Sequence, residues 1–241
     1  MSGHVPSGPA RRSRLGQHFL GSARLASQLV ADAGVTGDDR VVELGAGRGT
    51  LTDALAGRAA QVLAVELDPK LVSILARRYA FARNVTVLRA DARQAPLPAN
   101  PYRVVANLPF GVTGAVLRRL FDAPVSGLQR ADLILQWQVA RARAHAADGP
   151  PTDLLAARWG PWWEFRRGRR LPATCFRPRP SVDAAVLVVT RRDPPLLPTA
   201  VNRRYEAFVS RAFRSRHDAH TVGVAQWVEL FQAFDRRNAK G

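Results

Sequence analysis

Cysteine occurs once, at Cys175. A single thiol excludes an intramolecular disulfide and any zinc or iron–sulfur site built on cysteines, and it fits a reducing cytosol. No apolar run reaches the length needed to span a bilayer. Residues 1–14, rich in Gly, Pro, Ser and Arg, lack the apolar stretch of a secretory signal and are expected to form a flexible basic tail. Acidic residues are scarce, 19 against 36 Lys+Arg, for a formal net charge of +17. Lysine is scarcer still: Lys70 and Lys240 are the only two, so arginine carries the positive charge. A GC-rich genome accounts for arginine over lysine but not for the shortage of acids. A balance this basic points to a polyanionic partner, with RNA or DNA favoured over an acidic membrane.

What is present, 241 residues of which 46% are hydrophobic, suffices for one sizeable core and a small appendage. Residues 40–44 (Arg-Val-Val-Glu-Leu) read as a buried strand, followed by a helix over 50–59. Residues 61–65 form a second strand, and a helix begins at Pro69, because proline suits the first helical turn. Further strands are expected at 85–89, 102–106 and 133–136. Val112, Val116, Leu117, Leu120 and Phe121 share one helical face between the last two. This alternation predicts an α/β fold, a Rossmann-like parallel sheet with helices on both faces, whose ligands bind at the carboxyl ends of the strands. Residues 162–167 and 184–190 read as a hairpin added to the sheet, with Trp163 and Phe165 inward and the neighbouring arginines outward. Asp193-Pro194-Pro195 then punctuates the chain. Beyond it, Tyr205, Phe208, Val209, Ala212 and Phe213 repeat at helical spacing, as do Trp227, Leu230, Phe231 and Phe234. They predict a small C-terminal helical domain that leaves Arg203, Arg204, Arg211, Arg214 and Arg216 on its outer side.

Glycines fall at alternate positions in Glu43-Leu44-Gly45-Ala46-Gly47-Arg48-Gly49, where the first long strand turns into its helix. Glycine there permits positive φ and close approach of a ligand to the backbone. The spacing G-x-G-x-G differs from the dinucleotide fingerprint G-x-G-x-x-G, whose amides face a pyrophosphate. It suits S-adenosylmethionine, which has no phosphate, and counts against a nicotinamide oxidoreductase. Glu66 follows the second strand and is placed to accept from ribose hydroxyls. Asp91 follows the third and is placed to accept from an adenine amine. Each acid alone is equally an ordinary loop or helix-terminal carboxylate; their places after successive strands favour a cofactor site. Asn107-Leu108-Pro109-Phe110 follows the fourth strand. The Asn107 side-chain oxygen and the Pro109 carbonyl are acceptors, and Phe110 is a flat stacking surface. Two acceptors and one stacking face are what an adenine amine needs if its nitrogen is to become a nucleophile.

Taken in order, Gly16-Gln17-His18-Phe19-Leu20, residues 43–49, Glu66-Leu67-Asp68, Asp91, residues 107–110 and Phe176-Arg177-Pro178-Arg179-Pro180-Ser181-Val182-Asp183 resemble the rRNA adenine N6-methyltransferase family. That family includes the Erm enzymes and the small-subunit dimethyladenosine transferases. Residues 135–144 (Leu-Gln-Trp-Gln-Val-Ala-Arg-Ala-Arg-Ala) are more similar to the Erm branch. The resemblance implies a class I S-adenosyl-L-methionine-dependent methyltransferase, monomeric and cytoplasmic. Its implied target is the N6 amine of one adenine in 23S rRNA, naked or not yet assembled, where methylation confers macrolide, lincosamide and streptogramin B resistance. It implies catalytic roles for Asn107, Pro109 and Phe110. Cofactor contacts are implied for His18, Leu20, Gly45, Gly47, Glu66, Leu67, Asp91, Ala92 and Asn107, and RNA contacts for Phe176, Arg141, Arg143, Arg211 and Arg214. The expected organisation is a tail over 1–14, a catalytic domain over 15–192 and a small helical RNA-binding domain over 193–241.

Two residues depart from the family pattern. His18 stands where asparagine is usual, and Phe110 where tyrosine is commonest, so stacking survives but the phenol hydrogen bond does not. Neither change removes an acceptor. Three alternatives stay open: a small-subunit rRNA dimethyladenosine transferase, a nucleic-acid-binding transcription factor on the same fold, and a DNA adenine methyltransferase.

Overall fold

Five runs line up as parallel strands, of which the central ones are buried and the edge strand Val85–Arg89 is only partly covered. The computed structural model describes residues 18–122, 124, 126–144, 153–215 and 218–238. Its strands are β1 (Phe19–Leu20), β2 (Arg40–Leu44), β3 (Gln61–Glu66), β4 (Val85–Arg89), β5 (Tyr102–Asn107), β6 (Leu128–Gln136), β7 (Trp163–Leu171), β8 (Phe176–Arg177) and β9 (Ala184–Arg191). The seven-stranded sheet runs β4-β3-β2-β5-β6-β9-β7. Strands β2 to β6 pair in parallel, and β9 and β7 close one edge as an antiparallel hairpin. The chain winds outward from β2 to β4 and then restarts on the other side at β5. The carboxyl ends of β2 and β5 therefore flank the crevice where such sheets bind ligands.

Local chemistry sets the helix ends. Ser22 caps the helix Ala23–Asp32 by accepting from the Leu25 amide, and Asp68 caps Pro69–Arg78 by accepting from the Lys70 amide. The helix after β2 covers Thr50–Ala56, three residues shorter than the pattern suggested, because Gly57 ends it. Strand β6 starts at Leu128, five residues before the expected 133. Its first half carries charges that hid it. Arg130 and Asp132 satisfy each other through two 2.8 Å bonds, which lets Asp132 lie buried at the sheet.

The hairpin is where it was expected. Trp163 and Phe165 are buried, whereas Arg166, Arg167, Arg169 and Arg170 are exposed. The helices Asn202–Ser215 and Val224–Asn238 place Tyr205, Val209, Trp227 and Phe231 in one apolar cluster with Trp162, Trp163 and the β5, β6 and β9 strands. Arg203, Arg204, Arg211 and Arg214 lie exposed on the first of these helices. The tail over 1–14, Gly16, Gln17 and Arg216 lie outside the described residues. Among the described residues, no helix is long and apolar enough to cross a membrane.

Candidate active site

The turn after β2 is built around three left-handed glycines, Gly45 (φ 83°), Gly47 (φ 59°) and Gly49 (φ 84°). At Gly47 a side chain is excluded by space as well as by backbone. A Cβ there would lie 2.8 Å from the ring of Phe19, which packs flat against the loop. Phe19 belongs to the short ribbon in which β1 pairs antiparallel with β8, so residues 18–20 strap across the carboxyl edge of the sheet. Beneath the loop, the buried Glu43 carboxyl accepts from the Thr52 hydroxyl at 2.6 Å. Burial pushes its pKa up to about 8, repulsion from Glu66 and Asp53 adds to this, and the Thr52 bond opposes it.

A raised folded value means that the native state holds a proton that the unfolded chain releases above its own pKa near 4.5. This contribution to stability is full below that pH and is lost as pH rises toward 8. Melting temperatures of wild type should fall across this window through this group. Glu43→Gln should flatten the profile, and an unchanged profile would show that Glu43 does not titrate there.

Glu66 ends β3 and is buried. Its Oε2 accepts from the Gly47 amide at 2.8 Å, and its Oε1 from the Leu67 and Asp68 amides at 2.8 and 2.9 Å. One carboxylate thus ties the glycine loop to the neighbouring strand end and keeps lone-pair capacity for a ligand hydroxyl. Asp91, beyond β4, is chelated by Arg93 through its guanidinium and its amide. That arginine holds the Asp91 carboxyl below the usual carboxylate range, so it is an ionised acceptor at neutral pH.

Asn107 ends β5 and lines the same cleft as these acids. Its Nδ2 donates to the His18 carbonyl at 2.7 Å. A carbonyl can only accept, so the amide orientation follows from chemistry, and Oδ1 is the atom left over. The His18 Nδ1 bonds the Pro178 carbonyl at 2.8 Å, and the His18 ring lies 5.1 Å from that of Phe110. The cleft enclosed by these groups has a volume of about 350 Å3.

His18, Gly45, Gly47, Glu66, Leu67, Asp91, Ala92, Asn107, Pro109 and Phe110 all line this one cleft. Other expected residues are elsewhere. Leu20 turns away into the apolar cluster under the strap. Phe176 is fully buried in that same cluster, paired with Leu20 across the ribbon, and so offers no face to a nucleobase. Its role is packing. Phe176→Ala should destabilise the protein by about 3–5 kcal/mol in denaturant melts, and a loss under 1 kcal/mol would contradict this.

The Pro109 carbonyl also differs from expectation. It accepts from the Val112 amide at 3.1 Å and the Thr113 hydroxyl at 3.3 Å, which uses both lone pairs. The Leu108 carbonyl accepts from no described residue, and Leu108 lines the cleft. Arg143 turns its guanidinium to Asp153 at 3.5 Å and to the Val139 carbonyl, leaving its side chain 13% exposed. Arg141 is exposed on the same helix, Trp137–Arg143. Arg211 lines a groove between the two C-terminal helices with Phe208 and Phe234, and Arg214 is exposed nearby. Phe19, part of the motif over residues 16–20, also lines the cleft, as do Val65, Ala90 and Arg93, which no motif marks. Val65 and Ala90 carry no sequence signal, whereas Arg93, two residues after Asp91, was detectable as its cation.

Comparison with known proteins bears on this cleft. The family model described as ribosomal RNA adenine dimethylase matches residues 9–219. An rRNA adenine N-6-methyltransferase of Corynebacterium diphtheriae is 34% identical over 205 residues, 85% of this chain and 78% of that protein. Mycinamicin-resistance protein MyrB of Micromonospora griseorubida is 39% identical over 202 residues; the match covers 84% of this chain and only 63% of MyrB. Ribosomal RNA small subunit methyltransferase A of Synechococcus sp. (strain CC9311) is 36% identical over 242 residues, 94% of this chain and 86% of that protein. The crystal structure of 23S rRNA methyltransferase ErmE superposes with a TM-score of 0.77 at 28% identity, covering 90% of this chain and 99% of that one.

Proposed function

The chain belongs to the ribosomal RNA adenine dimethylase family, and on that premise we propose that it methylates N6 of one adenine in 23S rRNA with S-adenosyl-L-methionine. The modification would confer macrolide, lincosamide and streptogramin B resistance. The observation that carries the reading is the orientation of Asn107, whose Nδ2 is spent on His18 and whose Oδ1 is left for a donor in the cleft.

The cleft residues fit the cofactor. Glu66 retains acceptor capacity for ribose hydroxyls, Asp91 would take the adenine amine by giving up part of its contact with Arg93, and Val65, Ala90 and Leu108 supply apolar walls. Gly47 and Phe19, packed against each other, both line the cleft, so the ring would form one wall beside the bound cofactor. When bound, S-adenosyl-L-methionine supplies an electrophilic sulfonium methyl group. The Asn107 Oδ1 and the Leu108 carbonyl accept the two N6 hydrogens of the target adenine, and this replaces the Pro109 carbonyl in the clamp. Held this way, the nitrogen lone pair is drawn out of conjugation and aimed, so catalysis comes from positioning and fixed dipoles. Phe110 stacks on the extruded base and offsets part of the few kcal/mol that unstacking costs. An N6 ammonium is acidic enough to lose its proton to water, so the clamp needs no side-chain base. Arg141, Arg211 and Arg214 are the exposed cations assigned to RNA, with residues 193–241 as the RNA-binding part of a monomer.

The choice of 23S rRNA is supported by the similarity to MyrB, and by ErmE aligning along 99% of its own chain. The small-subunit enzyme of Synechococcus, matched over 94% of this chain, supports the rival substrate. Tritiated methyl transfer to protein-free 23S rRNA, followed by primer extension and mass analysis, tests the reading. Label at one adenine, as N6-methyl- or N6-dimethyladenine, is expected. Label only in assembling small-subunit particles would assign the rival substrate. Cofactor binding without transfer to either would leave a binding module.

A further inference from the structure

We infer that Trp137, Arg167 and Arg170 form a phosphate-gripping platform for the RNA strand that flanks the target adenine. The inference rests on the RNA-methylating reading and extends it to a surface outside the cofactor cleft. Arg167 and Arg170 stand over the same indole, with guanidinium carbons 5.0 and 4.8 Å from the centroid of Trp137.

This geometry is not what a regular strand would give. Side chains three residues apart on a strand point to opposite faces. Strand β7 changes register between Arg167 and Arg170: Arg167 pairs with Leu187, and Arg170 with Ala185. Three steps on β7 oppose two on β9, so one extra residue is inserted as a bulge. The bulge puts both arginines on the Leu187 and Ala185 face, where Trp137 lies. Arg169 is sent instead to Asp32. Gly168 belongs to the bulge, and a Cβ there would press on Val186 and Val188 at 3.2 and 3.3 Å.

Two like charges are thus brought together on one aromatic face. Among the described residues the carboxylate that meets them is Asp183, bound to Arg170 at 2.8 Å. Arg170 is still 62% exposed, and Arg167 is exposed and has no ion pair among the described residues. A guanidinium pair pre-oriented by cation–π contact, with one positive charge uncompensated, is a ready receptor for phosphodiester oxygens.

The platform is also joined to the cleft. The Trp137 amide donates to the Asp183 carbonyl at 2.9 Å, and the Pro178 carbonyl bonds His18 at the cleft wall. Asp183 lies five positions beyond Pro178, a span of at most about 18 Å. A strand leaving the cleft reaches the platform within a few nucleotides, and the exposed Arg179 lies between.

Fluorescence anisotropy of a labelled 23S rRNA hairpin carrying the target adenine, titrated across potassium chloride, tests the platform in the full chain. Arg167→Gln should weaken RNA binding several-fold and make the slope of log K against log salt shallower by about 1. Trp137→Leu should weaken binding similarly by releasing both guanidiniums, with circular dichroism as a check on folding. Arg58→Gln, exposed in the turn before β3 and so well removed from β7 in the sheet order, controls for net charge. Cofactor affinity, and kcat at saturating RNA, should stay near wild type in Arg167→Gln. Binding and salt slope that move no more in Arg167→Gln than in Arg58→Gln would overturn the platform, even in an enzyme that methylates 23S rRNA. A wild type that binds the hairpin yet transfers no methyl would instead count against the proposed reaction.

Discussion

Asn107→Ala is expected to lower kcat for RNA methylation by about 10²–10³-fold, with cofactor affinity within a few-fold of wild type. The expectation follows from what the side chain does on its two sides. Nδ2 is held by the His18 carbonyl, so Oδ1 cannot rotate away and stays a fixed dipole in the cleft. A fixed acceptor costs nothing to reorganise when charge develops on the adenine amine, which is why its loss falls on kcat rather than on KM. Asn107→Asp is the informative companion. It keeps an acceptor where Oδ1 was but turns a second carboxylate oxygen toward the His18 carbonyl, where two acceptors repel. It should therefore recover little of the lost rate and should loosen the strap. Single-turnover methyl transfer with saturating RNA, beside calorimetric cofactor titration, separates the effects. An alanine variant within threefold of wild-type kcat would remove Asn107 from the clamp.

The parts of this site that could be read from the chain are those fixed by local chemistry. Strands β2 to β5 announced themselves because they are short apolar runs bounded by turns, and Glu66, Asp91 and Asn107 follow from being the polar residues at or just past their ends. The glycine turn was readable because Gly47 has a backbone and a neighbour that tolerate nothing larger. What escaped depends on which distant segments meet. Phe176 looked like a stacking surface beside Arg177 and Pro178. Pairing of β8 with β1 turns its ring into the core beside Leu20, 156 residues earlier in the chain. The Pro109 carbonyl looked free because nothing in a tetrapeptide says that the next turn will fold back to use it. Trp137 gave no sign of two arginines from another strand, since their common face exists only through a bulge. The first half of β6 was missed because Arg130 and Asp132 look like a loop until they neutralise each other.

Glu66→Gln is expected to weaken cofactor binding roughly 10- to 100-fold, with a stability loss of about 1–3 kcal/mol for one unsatisfied buried donor. The substitution keeps shape and changes one hydrogen-bonding role. Glutamine oxygen can still accept from the Leu67 and Asp68 amides, as Oε1 does now. Its NH2 group then faces the Gly47 amide, now 2.8 Å from Oε2, and two donors are opposed in a buried place. Reversing the glutamine amide exchanges one conflict for two, since Leu67 and Asp68 would then meet the NH2. The loop must shift away in either orientation, and Gly47 is confined on its other side by Phe19. The conflict is therefore passed to the strap and to the cofactor's backbone neighbours rather than relaxed locally. Glu66→Ala removes the acceptor for all three amides but leaves room for water to replace it, so its stability loss need not exceed that of the isostere, whereas its cofactor affinity should be lower still. Calorimetric titration of S-adenosyl-L-methionine into both variants, with thermal melts of the cofactor-free proteins, checks the ordering. A glutamine variant with wild-type affinity would show that the bridge between loop and strand does not hold the cofactor site in place.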